Sequence, residues 1–72
     1  MSRRLRVRLD LARLIANLSR DEQRQMPEEE VLQWLSDAHF TRQDGNYWIV
    51  SESDLGQVDP SEVLEVEPLN EN

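Results

Sequence analysis

The two ends of this chain carry complementary patterns, and that pairing constrains the fold more than any other feature. Arg4-Leu5-Arg6-Val7-Arg8-Leu9 alternates strictly between charged and apolar residues. A period of two argues a half-buried strand, with Leu5, Val7 and Leu9 inward and Arg4, Arg6 and Arg8 outward. Near the other end, Glu62-Val63-Leu64-Glu65-Val66-Glu67 reads as a last strand closed by Pro68. Its alternation predicts Leu64 and Val66 inward, Glu65 and Glu67 outward. Opposite charges on facing strands stabilise their pairing by a few tenths to about 1 kcal/mol each. The first and last strands are therefore expected to lie side by side.

Between them the period changes. Leu11, Leu14, Ile15 and Leu18 recur at helical spacing behind Asp10, a good N-cap residue. Ser19-Arg20-Asp21-Glu22 has capping-box spacing, so either a short new helical turn begins there or the first helix runs on to about Gln25. Pro27 forces a break near Met26, because the residue before proline is pushed out of the α region. A second helix follows. Pro27 suits its first position, Glu28, Glu29 and Glu30 favour the positive end of its macrodipole, and Val31, Trp34, Leu35 and Ala38 form its apolar stripe. It should end near His39. Asp44-Gly45, flanked by Phe40-Thr41-Arg42-Gln43 and Asn46-Tyr47-Trp48-Ile49-Val50, signals a hairpin with a type I′ turn. With Asp44-Gly45 as the loop, Phe40, Arg42, Tyr47 and Ile49 share one face, and Thr41, Trp48 and Val50 share the other. Ser51 to Gly56 is a loop or one helical turn, Asp59-Pro60-Ser61 a turn, and residues 70–72 a frayed tail.

The class that results is α+β. Two helices pack on a small antiparallel sheet made of the paired terminal strands and a hairpin, all within one domain over residues 1–69. A chain of 72 residues leaves no room for a second core, and no cysteine is present to staple the one it has. No apolar run approaches membrane-spanning length and nothing resembles a signal peptide, so a cytoplasmic protein is the expectation.

The net charge of −7 disfavours attraction to nucleic acid or anionic lipid. Its layout is polar along the chain. Residues 1–24 hold seven of the eight arginines against three acids, a net of +4, while residues 25–72 net −11. Either the basic end packs beside the acidic end, or the dipolar surface selects a partner. All the basic residues are arginine, which suits planar ion pairing.

Little in the chain suggests chemistry. His39 is the only histidine, and its place at a helix C-terminus is explained by the dipole. A metal site needs several converging ligands, and no cysteine or second histidine exists. No serine stands in a nucleophile motif, the two glycines fit no phosphate loop, and no cofactor is expected. A small hydrolase would need an acid–base pair that the sequence does not offer. An interaction or regulatory module is the better expectation.

Trp34 belongs to the apolar stripe. Trp48 and Tyr47 lie on opposite faces of the hairpin, and a two-layer domain buries only one face, so one of the two should be partly exposed. Exposed aromatics are enriched at interfaces. Arg42, Tyr47 and Trp48 are therefore the candidate partner-binding residues, and Arg4, Arg6 and Arg8 a candidate charged surface.

The order helix, helix, hairpin over roughly residues 10–50 resembles a winged-helix module. That resemblance implies a nucleic-acid binder whose helix before the hairpin enters the major groove. Here that helix bears Glu28, Glu29, Glu30 and Asp37 and no basic residue, so it would repel phosphates. Gripping nucleic acid with Arg4, Arg6 and Arg8 requires the first strand to be free. The expected partner is another protein rather than nucleic acid or membrane, and homodimerisation through exposed strand edges is feasible.

Overall fold

The computed structural model describes residues 3–69. The expected tail at residues 70–72 lies outside them. Seven regular elements run in the order β1 (Arg4–Leu9), α1 (Leu11–Glu22), α2 (Glu28–Asp37), β2 (Thr41–Asp44), β3 (Tyr47–Ser51), α3 (Glu52–Leu55) and β4 (Val63–Pro68). A 3-10 turn at Pro60–Glu62 precedes β4. The strands form one antiparallel sheet in the order β2-β3-β1-β4. The class is α+β, and the terminal strands are neighbours as the charge patterns predict.

Local chemistry sets the helix limits. The Asp10 carboxylate accepts the Arg13 N–H at 3.1 Å and starts α1. The helix ends after Glu22 because Gln23 turns left-handed, with φ of 58°. Ser19 therefore starts no new turn; its hydroxyl accepts the Met26 N–H at 2.9 Å. Pro27 is the extended N-cap of α2 rather than its first residue. Ser51 caps α3 by accepting the Asp54 N–H at 3.2 Å.

The hairpin differs from the expected register. Asp44 pairs with Tyr47, Arg42 with Trp48 and Thr41 with Ile49, and the ladder shifts at Gln43. Gly45-Asn46 is the loop, and of the two only Gly45 has positive φ, so the type I′ geometry is not adopted. Neighbouring β1 fixes this register. Val7 lies opposite Trp48 and Leu5 opposite Val50, and the Leu9 N–H donates to the Asn46 carbonyl at 3.0 Å. A one-residue slip reassigns faces, which moves Arg42 to the side of Trp48.

One face of the sheet is inner. There Leu5, Val7, Leu9, Trp48 and Val50 meet Leu11 and Leu14 of α1 and Val31 and Leu35 of α2, all buried. Phe40, Met26 and Val58 complete that core, with Trp34 only partly buried at its margin. No helix of the described residues covers the outer face. Arginine side chains lie along it, and buried Ile49 sits in register between Arg6 and Thr41.

β4 departs from its expected alternation. Glu67 pairs with Arg6 and Glu65 with Arg8, but Leu9 pairs with Val63, so Leu64 is a bulge. Val63 rather than Leu64 packs against the core. Val66 does fall opposite Val7, yet it is 49% exposed, and Leu64 is 48% exposed. The helices cover the middle of the sheet and leave this edge uncovered.

His39 follows α2 with φ of 70°. Side chains other than glycine adopt that left-handed region at a cost, and glycine is the residue that relieves it at a helix end. His39→Gly is expected to raise stability by up to about 1 kcal/mol, read as a higher urea midpoint in circular dichroism. An unchanged or lower midpoint would mean that the histidine side chain contributes more than the backbone strain removes.

Candidate functional site

The three hairpin candidates do not form one patch. Trp48 points into the core and is 2% exposed, which corrects the expectation that it offers itself to a partner. Its faces are taken by Val7 on β1 and by Arg42 at the sheet edge. The Arg42 guanidinium lies 5.4 Å from the Trp48 ring, and its Nε donates to the Gly45 carbonyl at 2.8 Å. Arg42 thus lies at the turn end of the hairpin, beside the tryptophan ring. Tyr47 is on the opposite, outer face, half-buried beneath Arg6, whose guanidinium stacks 3.7 Å from the ring centroid.

The charged surface is self-paired along β1. Arg6 donates to the Glu67 carboxylate at 2.7 Å and to the Gln43 amide oxygen at 2.7 Å. The bond to Glu67 raises the Arg6 pKa further above its already high ordinary value. Arg8 reaches Glu65 at 2.8 Å, and Arg3 reaches Glu52 at 3.5 Å. Arg4 lies opposite Ser51 at the start of the strand and is exposed. The Arg24 guanidinium pairs with Glu30, tying the loop after α1 to the first turn of α2.

Three hollows mark the surface. A shallow one between α1 and α2 is bordered by Leu18, Met26 and Trp34. A polar one is bordered by Arg13, Asn17, Arg20, Asp59 and Glu62. Its groups are engaged with one another. Glu62 accepts from the Asn17 amide at 2.6 Å and from the Asp59 N–H at 2.7 Å, and Arg20 donates to Asn17 at 3.0 Å. The Ser61 hydroxyl, and then the Ser61 backbone N–H, bond the Asp59 carboxylate and hold its pKa below the usual value. Asp59 stays anionic at neutral pH and serves as a turn cap, not as a proton donor.

The third hollow is different in kind. It is a groove of about 410 Å³ between α3 and β4, lined by Leu55, Gly56, Val58, Pro60, Val63 and Val66, with Glu52 at its rim. It exists because α3 has only four residues and stops before it covers β4. The inner side of β4 thus meets open space where β1 and β3 meet helices. Leu64 and Val66, the exposed large apolar residues among those described, both lie on this strand. The sequence reading assigned both to the core. The overlooked signal was the shortness of the Glu52–Leu55 segment: two long helices cannot roof a four-stranded sheet.

No arrangement for group transfer stands out. The His39 Nδ1 lies 3.5 Å from Asp54 Oδ2, and the Ser51 hydroxyl donates to that same oxygen at 2.9 Å. The carboxylate sits between the hydroxyl and the imidazole, so the histidine meets the acid and not the nucleophile that a triad requires. Among the described residues no group of three or more histidine or carboxylate side chains could hold a metal ion, and no helix is long and apolar enough to cross a membrane.

No protein-family model, curated protein or solved structure matches this chain. A functional reading therefore rests on the geometry itself.

Proposed function

We propose that this protein is a non-enzymatic interaction module that contacts another protein through β4 and the groove against α3. One observation carries this reading. Half-exposed Val66 lines an apolar groove with Leu55, Val58, Pro60 and Val63, on a strand at the sheet's edge that also carries half-exposed Leu64. Scattered single apolar residues need no explanation on a protein surface, but a contiguous apolar patch bordering a hollow marks a contact site. The charge layout supports a protein over a polyanion. Arg6 and Arg8 are engaged by Glu67 and Glu65, and α2 presents Glu28, Glu29 and Glu30. A nucleic-acid backbone would have to displace the first pairs and avoid the second group.

Site-specific photo-crosslinking tests this. A photoreactive residue at position 64 is expected to give at least ten times more protein adduct than one at position 29 on α2. Excess unlabelled wild-type chain should suppress that adduct, and excess Val66→Asp chain should not. Equal yields from the two positions would overturn the proposal. So would retardation of duplex or single-stranded nucleic acid by the wild-type chain at moderate salt.

A further inference from the structure

We propose that the occupant of this surface is an extended segment of alternating apolar and cationic residues, added as a fifth strand to the open edge of β4; the inference rests on the reading of β4 as the contact surface. Three features of the strand lead to it.

The first is backbone availability. Among the described residues β4 is paired on one side only. The Leu69 N–H donates to the Arg4 carbonyl at 3.2 Å, and Glu67 and Glu65 stand opposite Arg6 and Arg8. Backbone groups alternate in direction along a strand, so Val66 turns its N–H and C=O to the open edge. Edges are commonly protected by lysine, by proline, by a β-bulge or by a covering element. β4 has no lysine and α3 stops short of it, while its bulge at Leu64 and its terminal Pro68 lie on either side of Val66 and leave that edge position open to pairing.

The second feature is the chemistry of its two faces. On the inner side an added strand would place an apolar side chain beside Val66 and over the groove floor of Leu55, Val58 and Pro60. On the outer side it would run beside Glu65 and Glu67, whose side chains remain 51% and 52% exposed despite their arginine partners. Both arginines bond Oε1 of their glutamate. A carboxylate offers about four acceptor positions, so each can take a second cation from the opposite side. Apolar inward and cationic outward is the pattern that β1 already presents to the other side of β4. The strand's free side asks for the same alternation.

The third feature selects against a second copy. Antiparallel pairing of two β4 edges about Val66 would set Glu65 of one chain across from Glu67 of the other, and like charges directly opposite are destabilising. Each copy also brings a net charge of −7.

The test titrates the isotope-labelled full chain with a capped peptide of alternating arginine and valine, and in parallel with one of alternating glutamate and valine. Amide shifts are expected within Val63–Leu69 and Leu55–Val58 for the first peptide and at least tenfold weaker binding for the second. Val66→Pro removes the edge-facing N–H without touching the ladder to β1, and proline is tolerated on strand edges. It should leave the circular dichroism spectrum unchanged and weaken the arginine peptide at least tenfold. Val66→Thr keeps the N–H and should weaken it less. Equal binding of the two peptides, equal binding by Val66→Pro, or shifts confined to α1 and α2 would overturn the inference. If position 64 still gave selective adducts, the contact surface would stand and only the occupant would be wrong. Concentration-dependent dimerisation abolished by Val66→Pro would make a second copy the occupant and would likewise overturn it.

Discussion

Trp48→Ala should leave the chain largely unfolded at 25 °C without denaturant. Trp48 is 2% exposed at the centre of the inner face, in register with Val7 and Arg42. Truncating a buried tryptophan costs about 3–5 kcal/mol, from lost apolar transfer and from the cavity left behind. A single core in a chain of 72 residues rarely supplies more than about 3–5 kcal/mol. One substitution therefore removes most of the stability. Urea unfolding followed by far-ultraviolet circular dichroism gives the measurement. The comparison is Tyr47→Ala, whose ring lies under Arg6 on the outer face and contributes nothing to the main core. It should shift the midpoint far less. A folded Trp48→Ala chain with a midpoint near the wild type would show that the hairpin packs differently. The same logic makes Trp48→Ala useless as a binding probe, since lost binding would report lost structure.

The second large effect is expected at Glu62. This carboxylate is 4% exposed and joins three separate segments. Oε1 accepts the Asp59 N–H, Oε2 accepts the Asn17 amide from the middle of α1, and the Glu62 carbonyl accepts the Asp10 N–H at 2.8 Å. Together with Asp59 it forms a capping box around the 3-10 turn. Alanine would strand the two side-chain-bonded donors. A fully buried donor left unpaired costs about 1–3 kcal/mol; both of these bonds are only part-buried and water can recover some of that, so Glu62→Ala should cost about 1–2 kcal/mol in all. Glu62→Gln keeps an acceptor for Asp59 and should lose about half as much. Urea midpoints of the two variants settle the order. If Glu62→Ala were as stable as wild type, the box would be a geometric coincidence and not a tie between α1 and β4.

These two residues mark where sequence reasoning succeeds and where it stops. The terminal strands, the start of α1 at Asp10 and the acidic start of α2 were legible because each is a local pattern with one physical explanation. The pairing of β1 with β4 was legible because Arg6 and Arg8 on one strand answer Glu67 and Glu65 on the other. The hairpin register was not. Asp44-Gly45 and Gly45-Asn46 are both acceptable loops locally, and the choice is made by Val7 and Leu5 on a strand forty residues away. The burial of Glu62 was equally hidden, since nothing local in the sequence names the Asn17 amide and the Asp59 N–H as the partners that let its carboxylate be buried. Of the residues expected to meet a partner, Arg42 and Trp48 lie against one another, while Arg6 and Arg8 of the candidate charged surface pair with the glutamates they were expected to face. The candidate surface arises instead from something no single residue announces, a strand for which no helix is left over.

The adjacency of β1 and β4 has a consequence for how this unit can be carried. Arg4 and Leu69 are joined by a backbone hydrogen bond, so the chain enters and leaves the sheet at one point. The two exits are separated by little more than the spacing of neighbouring strands, about 5 Å. Such a unit can be spliced into a surface loop of a host protein with almost no widening of that loop. Its ends can also be joined by a short linker and new ones opened elsewhere, with the sheet order intact.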